Sequence, residues 1–273
     1  MNIQELLACP VCKKPLFKSE NSLRCEERHS FDFAKSGYIN LLNPGKKNNA
    51  KAGDSKEMIR ARSDFFATGC YEQIRATLCS LAKKHSPRII IDAGCGEGYY
   101  ASALALVCDA LLGFDMSKFG TEHASKIDTR SGVSSTLYAV ANIFDMPVYD
   151  GCADLVVNMF APVACEEFYR VLRSGGHLII GSAGACHLKE LKNALYDEVY
   201  LNEVDIPVLE GFELVERKTL SYSTTIPTKE AIWSLFQMTP YYHRTSLSDK
   251  AKLDSYDTLT TTVEVDFFVL RKI

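Results

Sequence analysis

From Arg88 onward, short continuous apolar runs alternate with amphipathic stretches, a rhythm that predicts an α/β fold on a mostly parallel sheet. Arg88-Ile-Ile-Ile-Asp-Ala93 reads as a strand buried on both faces, with a helix starting near Tyr99. Ala110-Leu-Leu-Gly-Phe-Asp115 and residues 135–141, 154–160 and 177–182 read as four further strands. Helices are expected over 164–173, stopped by Ser174-Gly175-Gly176, and over 187–201. Residues 212–223 and 262–271 alternate for longer and predict an antiparallel edge hairpin, with helices near 228–238 and 247–256 between its strands. The expectation is a seven-stranded, Rossmann-like sheet, whereas a dehydrogenase would need a sixth parallel strand. Upstream, Asp54 or Ser55 can cap a helix over 56–66 that Gly69 ends, and a second helix runs over 71–84.

Composition adds limits. The 273 residues, 47% of them hydrophobic, suffice for one large domain and a small appendage. No run approaches the roughly 20 apolar residues of a membrane span, and the first residues lack the basic flank and apolar core of a signal peptide, so the cytoplasm is the expected location. Seven of the ten cysteines (Cys70, Cys79, Cys95, Cys108, Cys152, Cys165, Cys186) stand singly among apolar or small residues and read as small hydrophobes in a reducing compartment. The net charge of −3 conceals an asymmetry: residues 1–62 hold 12 Lys/Arg against 7 Asp/Glu, so this part is +5 and the remainder −8. A basic arm on an acidic body suits docking to phosphates, and equally describes a solvated Lys-rich linker.

The other three cysteines belong to Cys9-Pro-Val-Cys12 and Cys25-Glu-Glu-Arg-His29, two close pairs separated by enough chain for a hairpin. Cys9, Cys12, Cys25 and His29 make a closed four-ligand set for structural zinc. Lys13-Lys14-Pro15 reads as a turn, and Ser22-Leu-Arg-Cys25 and Ser30-Phe-Asp-Phe33 as short strands of a zinc-ribbon-like unit. The organisation expected is a zinc-binding domain over 1–36, a basic linker and helix over 37–70, and a catalytic domain over 71–273.

The first strand of that catalytic domain runs into Asp92-Ala-Gly94-Cys-Gly96-Glu97-Gly98. Glycines let the backbone turn sharply and approach a ligand. The loop departs from the G-x-G-x-x-G spacing of dinucleotide enzymes and resembles motif I of class I S-adenosylmethionine methyltransferases. Asp115, closing the second strand, can accept both ribose hydroxyls, or can cap the helix behind it; Met116 can pack on adenine. Asn142 and Ile143, after the third strand, fall where this fold meets the adenine edge, and Asn158 to Pro162 where it faces the transferable methyl group.

The knuckle, Gly37-Tyr-Ile-Asn-Leu-Leu42, Gly53-Asp-Ser-Lys-Glu-Met58, Ala61-Arg-Ser-Asp-Phe65, the motif I loop through Tyr100, Phe160-Ala-Pro162, His187-Leu-Lys-Glu-Leu-Lys192 and Gln237-Met-Thr-Pro240 together resemble the bacterial 23S rRNA (guanine-N1)-methyltransferases, along nearly the whole chain. The resemblance implies zinc on Cys9, Cys12, Cys25 and His29, and S-adenosylmethionine on Tyr71, on the loop including Gly96 and Glu97, and on His187. From spacing alone, Tyr71 would be core and His187 a helix cap. It also implies a guanine in a hairpin loop of 23S rRNA domain II as substrate and a homodimer; one branch of the family confers resistance to tylosin-type macrolides, and nothing in the sequence selects a branch. Asp145, His187 and His243 qualify by residue type as the base for guanine N1, and the sequence assigns none of them. A small-molecule methyltransferase, a dinucleotide oxidoreductase and a non-enzymatic zinc-ribbon RNA binder are the rival readings.

Overall fold

The computed structural model describes residues 3–43, 45, 53–131 and 136–273, with backbone alone for 128–131. The basic stretch 46–52 of the expected linker lies outside them. At the N-terminus, β1 (Phe17–Ser19), β2 (Ser22–Arg24) and β3 (Ser30–Asp32) form an antiparallel three-stranded sheet. The sequence reading had the last two.

The main sheet contains β4 (Ile39–Asn40), β5 (Ile89–Ala93), β6 (Ala110–Asp115), β7 (Thr136–Val140), β8 (Ala153–Met159), β9 (Leu172–Ala183), β10 (Phe212–Ile226) and β11 (Leu259–Lys272). Their order is β10-β11-β9-β8-β5-β6-β7-β4. The six strands from β9 to β4 are mutually parallel, and β11 runs antiparallel to both β9 and β10. The expected class I methyltransferase sheet is therefore present with eight strands rather than seven; since β4 is a sixth parallel strand, the antiparallel β11 between β9 and β10, and not the strand count, separates it from a dehydrogenase sheet. The addition is β4, too short to carry a periodicity, which pairs Ile39 with Ala139 and Asn40 with Val140. Residues 39–40, inside the span read as linker, thus extend the sheet.

Two other elements differ from expectation. Ser174-Gly175-Gly176 does not separate helix from strand: α5 (Cys165–Val171) passes directly into β9, where Leu172 already pairs with Ala153 ahead of a register shift. The helix expected over 187–201 is only α6 (Lys189–Leu195), because Asn202 must return to the sheet end, where its N–H donates to Ala185 O at 3.0 Å and its side chain to Gly184 O at 2.8 Å. The helix placed near Tyr99 is the short α3 (Ala101–Leu104), followed by a 3-10 turn.

Burial explains the strand composition. Ile90, Ile91, Leu111, Leu112, Leu155 and Val156 are fully buried, as central parallel strands covered on both faces require. One face carries α1 (Lys56–Phe66), α2 (Glu72–Lys84), α4 (Lys118–Ser131) and α7 (Lys229–Gln237), whose Phe65, Ile74, Leu78, Ala124 and Phe236 belong to a single core. The opposite face is closed by Phe168 of α5 and by Leu7, Leu16 and Leu23 of the N-terminal unit, so the small sheet shares its core with the large one. Edge strand β10 is mostly exposed and carries Glu213, Glu216, Arg217 and Lys218, charges that discourage pairing with a further strand. The loops following β5, β6, β7, β8 and β9 gather at the carboxyl edge, around the point where strand order reverses beside β5; open α/β sheets bind ligands there.

Candidate active site and zinc centre

The ligand atoms of Cys9, Cys12, Cys25 and His29 all lie within 4.8 Å of one another. Cys9 Sγ is 3.6 Å from His29 Nδ1, Cys12 Sγ 3.6 Å from Cys25 Sγ, and Cys25 Sγ 3.3 Å from His29 Nδ1. Zinc bonds of about 2.3 Å to sulfur and about 2.0 Å to nitrogen put the edges of a tetrahedron at roughly 3.5–3.8 Å, so the four side chains fit zinc. Each knuckle is closed by its backbone: Lys13 N–H donates to Cys9 O at 2.8 Å and Arg28 N–H to Cys25 O at 3.0 Å. Lys13 and Arg28 both take positive φ, 61° and 65°, a conformation a non-glycine residue holds against about 1–2 kcal/mol. Four protein ligands leave no open position, which makes the metal structural.

A cleft of about 870 Å³ opens at the carboxyl edge of the main sheet. Of the residues expected there, Tyr71, Gly94, Gly96, Glu97, Asp115, Met116, Asn142, Ile143 and His187 line it. Asp92, Gly98 and Asn158 do not; they lie behind its wall. Asn158 is fully buried and donates to Ala93 O at 3.0 Å and Pro162 O at 3.2 Å, tying the end of β8 to the glycine loop. Asp92 is buried with Oδ2 lacking a partner among the described residues, and burial, reinforced by Asp115 and Glu97, pushes its carboxyl up to about 8.

The loop's glycines are needed where they stand. Gly94 has φ +88° and a Cβ there would meet Ala161 Cβ at 2.7 Å; Gly96 has φ +52° with Arg62 Nη1 2.9 Å from where its Cβ would be. Asp115 Oδ2 accepts from Gly96 N–H at 2.9 Å and Oδ1 from Ser117 N–H at 2.6 Å. Burial raises its carboxyl above the ordinary range while those two bonds pull it down. The ribose and helix-capping readings of Asp115 are thus compatible, since each carboxylate oxygen keeps a lone pair for a further donor.

Sequence reasoning missed Arg62 and Asp54. From α1, Arg62 reaches Asp54 at 2.5 Å and Glu97 at 3.4 Å, closing the cleft over the loop. Glu97 is only 4% exposed, and its burial outweighs Arg62 and lifts its carboxyl to about 7. Arg62 lies within the quoted motif Ala61–Phe65, but an ion pair across 35 residues leaves no local trace.

Tyr71 precedes α2 rather than opening it, and its hydroxyl lies 3.1 Å from His187 Nε2. Glu264 N–H donates to His187 Nδ1 at 3.2 Å. His187 is buried and held neutral, its imidazole pushed down to about 4 by desolvation. With Nδ1 accepting, the ring proton sits on Nε2 and is donated to Tyr71, whose own O–H is left to point elsewhere, with the cleft beside it. This disqualifies His187 as a base. Asp145 is paired with Lys13 at 2.7 Å on the ribbon side and does not line the cleft, whereas His243 does.

Beyond Tyr71 and His187 the cleft continues past Phe160, Ala161, Pro162 and Val163 from the end of β8 and Thr239, Pro240, Tyr241 and His243 after α7. Phe160 is 44% exposed despite φ +54°, and Phe144 is 56% exposed on the facing loop. Tyr241, after α7, is half-buried and packs on Phe236 and Tyr196.

A glycine loop after the first central strand, a carboxylate closing the next one and a cleft at the carboxyl edge of the sheet define this protein as a class I methyltransferase that uses S-adenosylmethionine. Residues 84–235 match the family described as methyltransferase domain, and residues 7–51 the zinc-ribbon family described as RlmA, N-terminal. A Streptomyces fradiae 23S rRNA (guanine(748)-N(1))-methyltransferase is 34% identical over 71% of this chain and 69% of its own. A Micromonospora griseorubida protein assigned 23S rRNA (guanine-N(1)-)-methyltransferase activity is 36% identical over 69% of each chain. The chain belongs to the 23S rRNA (guanine-N1)-methyltransferase family. A solved structure from Bacillus halodurans C-125, described as a methyltransferase, superposes with a TM-score of 0.51 at 17% identity, over 72% of this chain and 98% of that one, and speaks to the fold. No described helix is long and apolar enough to cross a membrane.

Proposed function

We propose that this enzyme methylates N1 of a guanine in a hairpin loop of 23S rRNA domain II. The observation that carries the reading is the single continuous cleft with a half-buried carboxylate, Asp115, in one lobe and an exposed aromatic, Phe160, at the mouth of the other. The first lobe suits a nucleoside and the second an extruded base. S-adenosylmethionine supplies an electrophilic methyl group on a sulfonium that leaves readily. We assign its binding to Tyr71, Gly94, Gly96, Glu97, Asp115, Met116, Asn142, Ile143 and His187, with Asp92, Gly98 and Asn158 supporting the loop from behind.

What the protein contributes is alignment and exclusion of water. Asp115 orients ribose, Asn142 and Ile143 bracket the adenine edge, and Tyr71, oriented by His187, donates toward the methionine end. Phe160 and Phe144 offer flat apolar surfaces to a flipped guanine, and a loop base gives up less stacking and pairing than one in a duplex. The zinc domain (1–36) and the basic segment (37–70) hold the RNA backbone by charge and shape, beside the catalytic domain (71–273). Such an enzyme works in the cytoplasm, and we expect a homodimer in which two zinc domains frame the RNA, to be checked by light scattering at micromolar concentration.

Primer extension on rRNA from cells with and without the gene tests the reading. A reverse-transcription stop at one domain II guanine, present only with the gene and reproduced by the purified enzyme on unmodified 23S rRNA, is expected. Methylation of a free metabolite with no such stop would replace it with a small-molecule activity.

A further inference from the structure

Attack by guanine N1 poses a problem of charge. N1 carries a proton at neutral pH, and the carboxylates of the cleft, Asp54, Glu97 and Asp115, all stand in the donor lobe, engaged with Arg62 or with backbone N–H groups. The wall beyond Tyr71 and His187, formed by Phe160 to Val163 and Met238 to His243, carries no carboxylate, and Lys192 of α6 is the one lysine lining the cleft among the described residues. Its ammonium donates to Asn202 Oδ1 at 2.6 Å, and Asn202 is itself pinned to Gly184 O and Ala185 O. Among the described residues Lys192 has no carboxylate partner, so one of its three donors is used and its charge is not neutralised. Desolvation draws its pKa below the ordinary lysine value, as expected for an ammonium facing a partly dry cleft. A half-buried cation held by a neutral amide is costly unless something anionic visits it.

We propose that Lys192 is a catalytic residue whose ammonium donates to O6 of the acceptor guanine and stabilises the negative charge left when N1 is deprotonated. The inference rests on the guanine-N1 reading above. The N1–H bond breaks, its electron pair stays on the ring and spreads onto O6, and the proton passes to solvent water. The N1 pair then forms the bond to the methyl carbon while the carbon–sulfur bond breaks, its pair going to sulfur. A fixed donor aimed at a developing oxyanion is worth about 10²–10³-fold in rate. Tyr71, His187, Tyr241 and His243 are the titratable groups lining the cleft near Lys192, Glu264 of β11 lies beside His187 and accepts from Cys186 N–H, and His187 stays neutral across the working range.

The test uses the full-length, zinc-loaded protein and a transcript of the domain II hairpin carrying ¹⁵N1-labelled guanine. Wild-type enzyme, without methyl donor, should lower the N1 pKa of the bound target guanine relative to free RNA; Lys192→Met should abolish that shift and Lys192→Arg should keep part of it. In single turnover, Lys192→Met should lose about 10²-fold at pH 7, with the deficit shrinking as pH rises and N1 ionises unaided. An unshifted rate, a deficit equal at every pH, or an N1 pKa still lowered in Lys192→Met overturns the proposal. So does a loss confined to S-adenosylmethionine affinity, which would put Lys192 on the donor's carboxylate, or to salt-dependent RNA affinity, which would put it on a phosphate. Absence of 1-methylguanine with wild-type enzyme would instead sink the functional reading, and this proposal with it.

Discussion

At the scale of single residues, burial decides which groups carry charge. His187 holds its proton on Nε2 because Glu264 N–H occupies Nδ1, and Tyr71 accepts that proton's hydrogen bond. Tyr71→Phe would leave a buried N–H without an acceptor, at a cost of about 1–3 kcal/mol, and remove the phenol from the donor lobe. Denaturant unfolding should show that loss, and calorimetry a fall of roughly tenfold in S-adenosylmethionine affinity; unchanged affinity would take Tyr71 out of the donor site. Asp92 gives a pH prediction. Its carboxyl is raised to about 8 from 3.8, and that of Glu97 to about 7 from 4.5, so the folded protein retains protons the unfolded chain releases. The stability these groups contribute is complete below their unfolded values and is lost as pH climbs through 7 and 8. His187 and His177, lowered to about 4 from 6.5, act oppositely: their contribution is present above 6.5 and lost as pH falls toward 4. Between pH 6.5 and 8 these carboxyls still release protons on unfolding while the imidazoles' contribution is almost complete, so the melting temperature of the zinc-loaded protein should fall with rising pH there. Asp92→Asn should flatten that fall, and a slope identical to wild type would show that Asp92 is ionised throughout. None of this was legible beforehand: Asp92 and Asp115 stand out as acids at strand ends, but their protonation depends on what covers them.

At the scale of elements, local pattern located what local pattern determines. Strands β5 to β8 were readable because each is an apolar run bounded by turns, and the knuckles because their ligands are close in sequence. α6 was overextended because its end is set from outside: Tyr196 turns extended as the chain heads back to Gly184, and Lys192 and Lys252 hold that return through Asn202 and Leu195 O. β4 was missed because two residues form a strand only when β7 offers an edge. The same outside control links the zinc centre to the cleft. Ala8 N–H donates to Pro147 O at 2.8 Å, Leu7 bridges Val148 and Lys13 pairs with Asp145, all just beyond the cleft residues Asn142 to Phe144. Removing zinc, by chelation or Cys12→Ser, should therefore do more than unfold β1 to β3. S-adenosylmethionine affinity should weaken severalfold as the loop following β7 loosens, while far-UV circular dichroism keeps most of its signal. Full affinity in the metal-free protein would show that the ribbon and the adenine loop are energetically independent.

At the scale of the whole molecule, charge divides the chain more sharply than packing does. The first 62 residues carry +5 and the rest −8, yet the ribbon's apolar side chains share a core with the sheet. The hydrophobic side of this arrangement fixes the ribbon against the body; the electrostatic side gives an RNA backbone individual exposed cations to meet there, since residues 1–36 hold 6 Lys/Arg against 5 Asp/Glu. Within the ribbon, Lys13 and Lys14 are paired with Asp145 and Glu27, whereas Lys18 and Arg24 have no ion pair among the described residues. Neutralising phosphates releases counterions, so rRNA affinity should fall steeply with salt, with a log–log slope of about 0.7–0.9 per phosphate contacted. Lys18→Glu together with Arg24→Glu should weaken hairpin binding and reduce that slope by about 1–2, while leaving S-adenosylmethionine affinity unchanged, because the donor lobe lies at the carboxyl edge of the main sheet. Fluorescence anisotropy with a labelled domain II hairpin between 50 and 200 mM salt, about the range over which such effects are large, measures both quantities. An unchanged slope would move the RNA off these strands, and an equal loss of donor binding would mean that the substitutions act through folding rather than through charge.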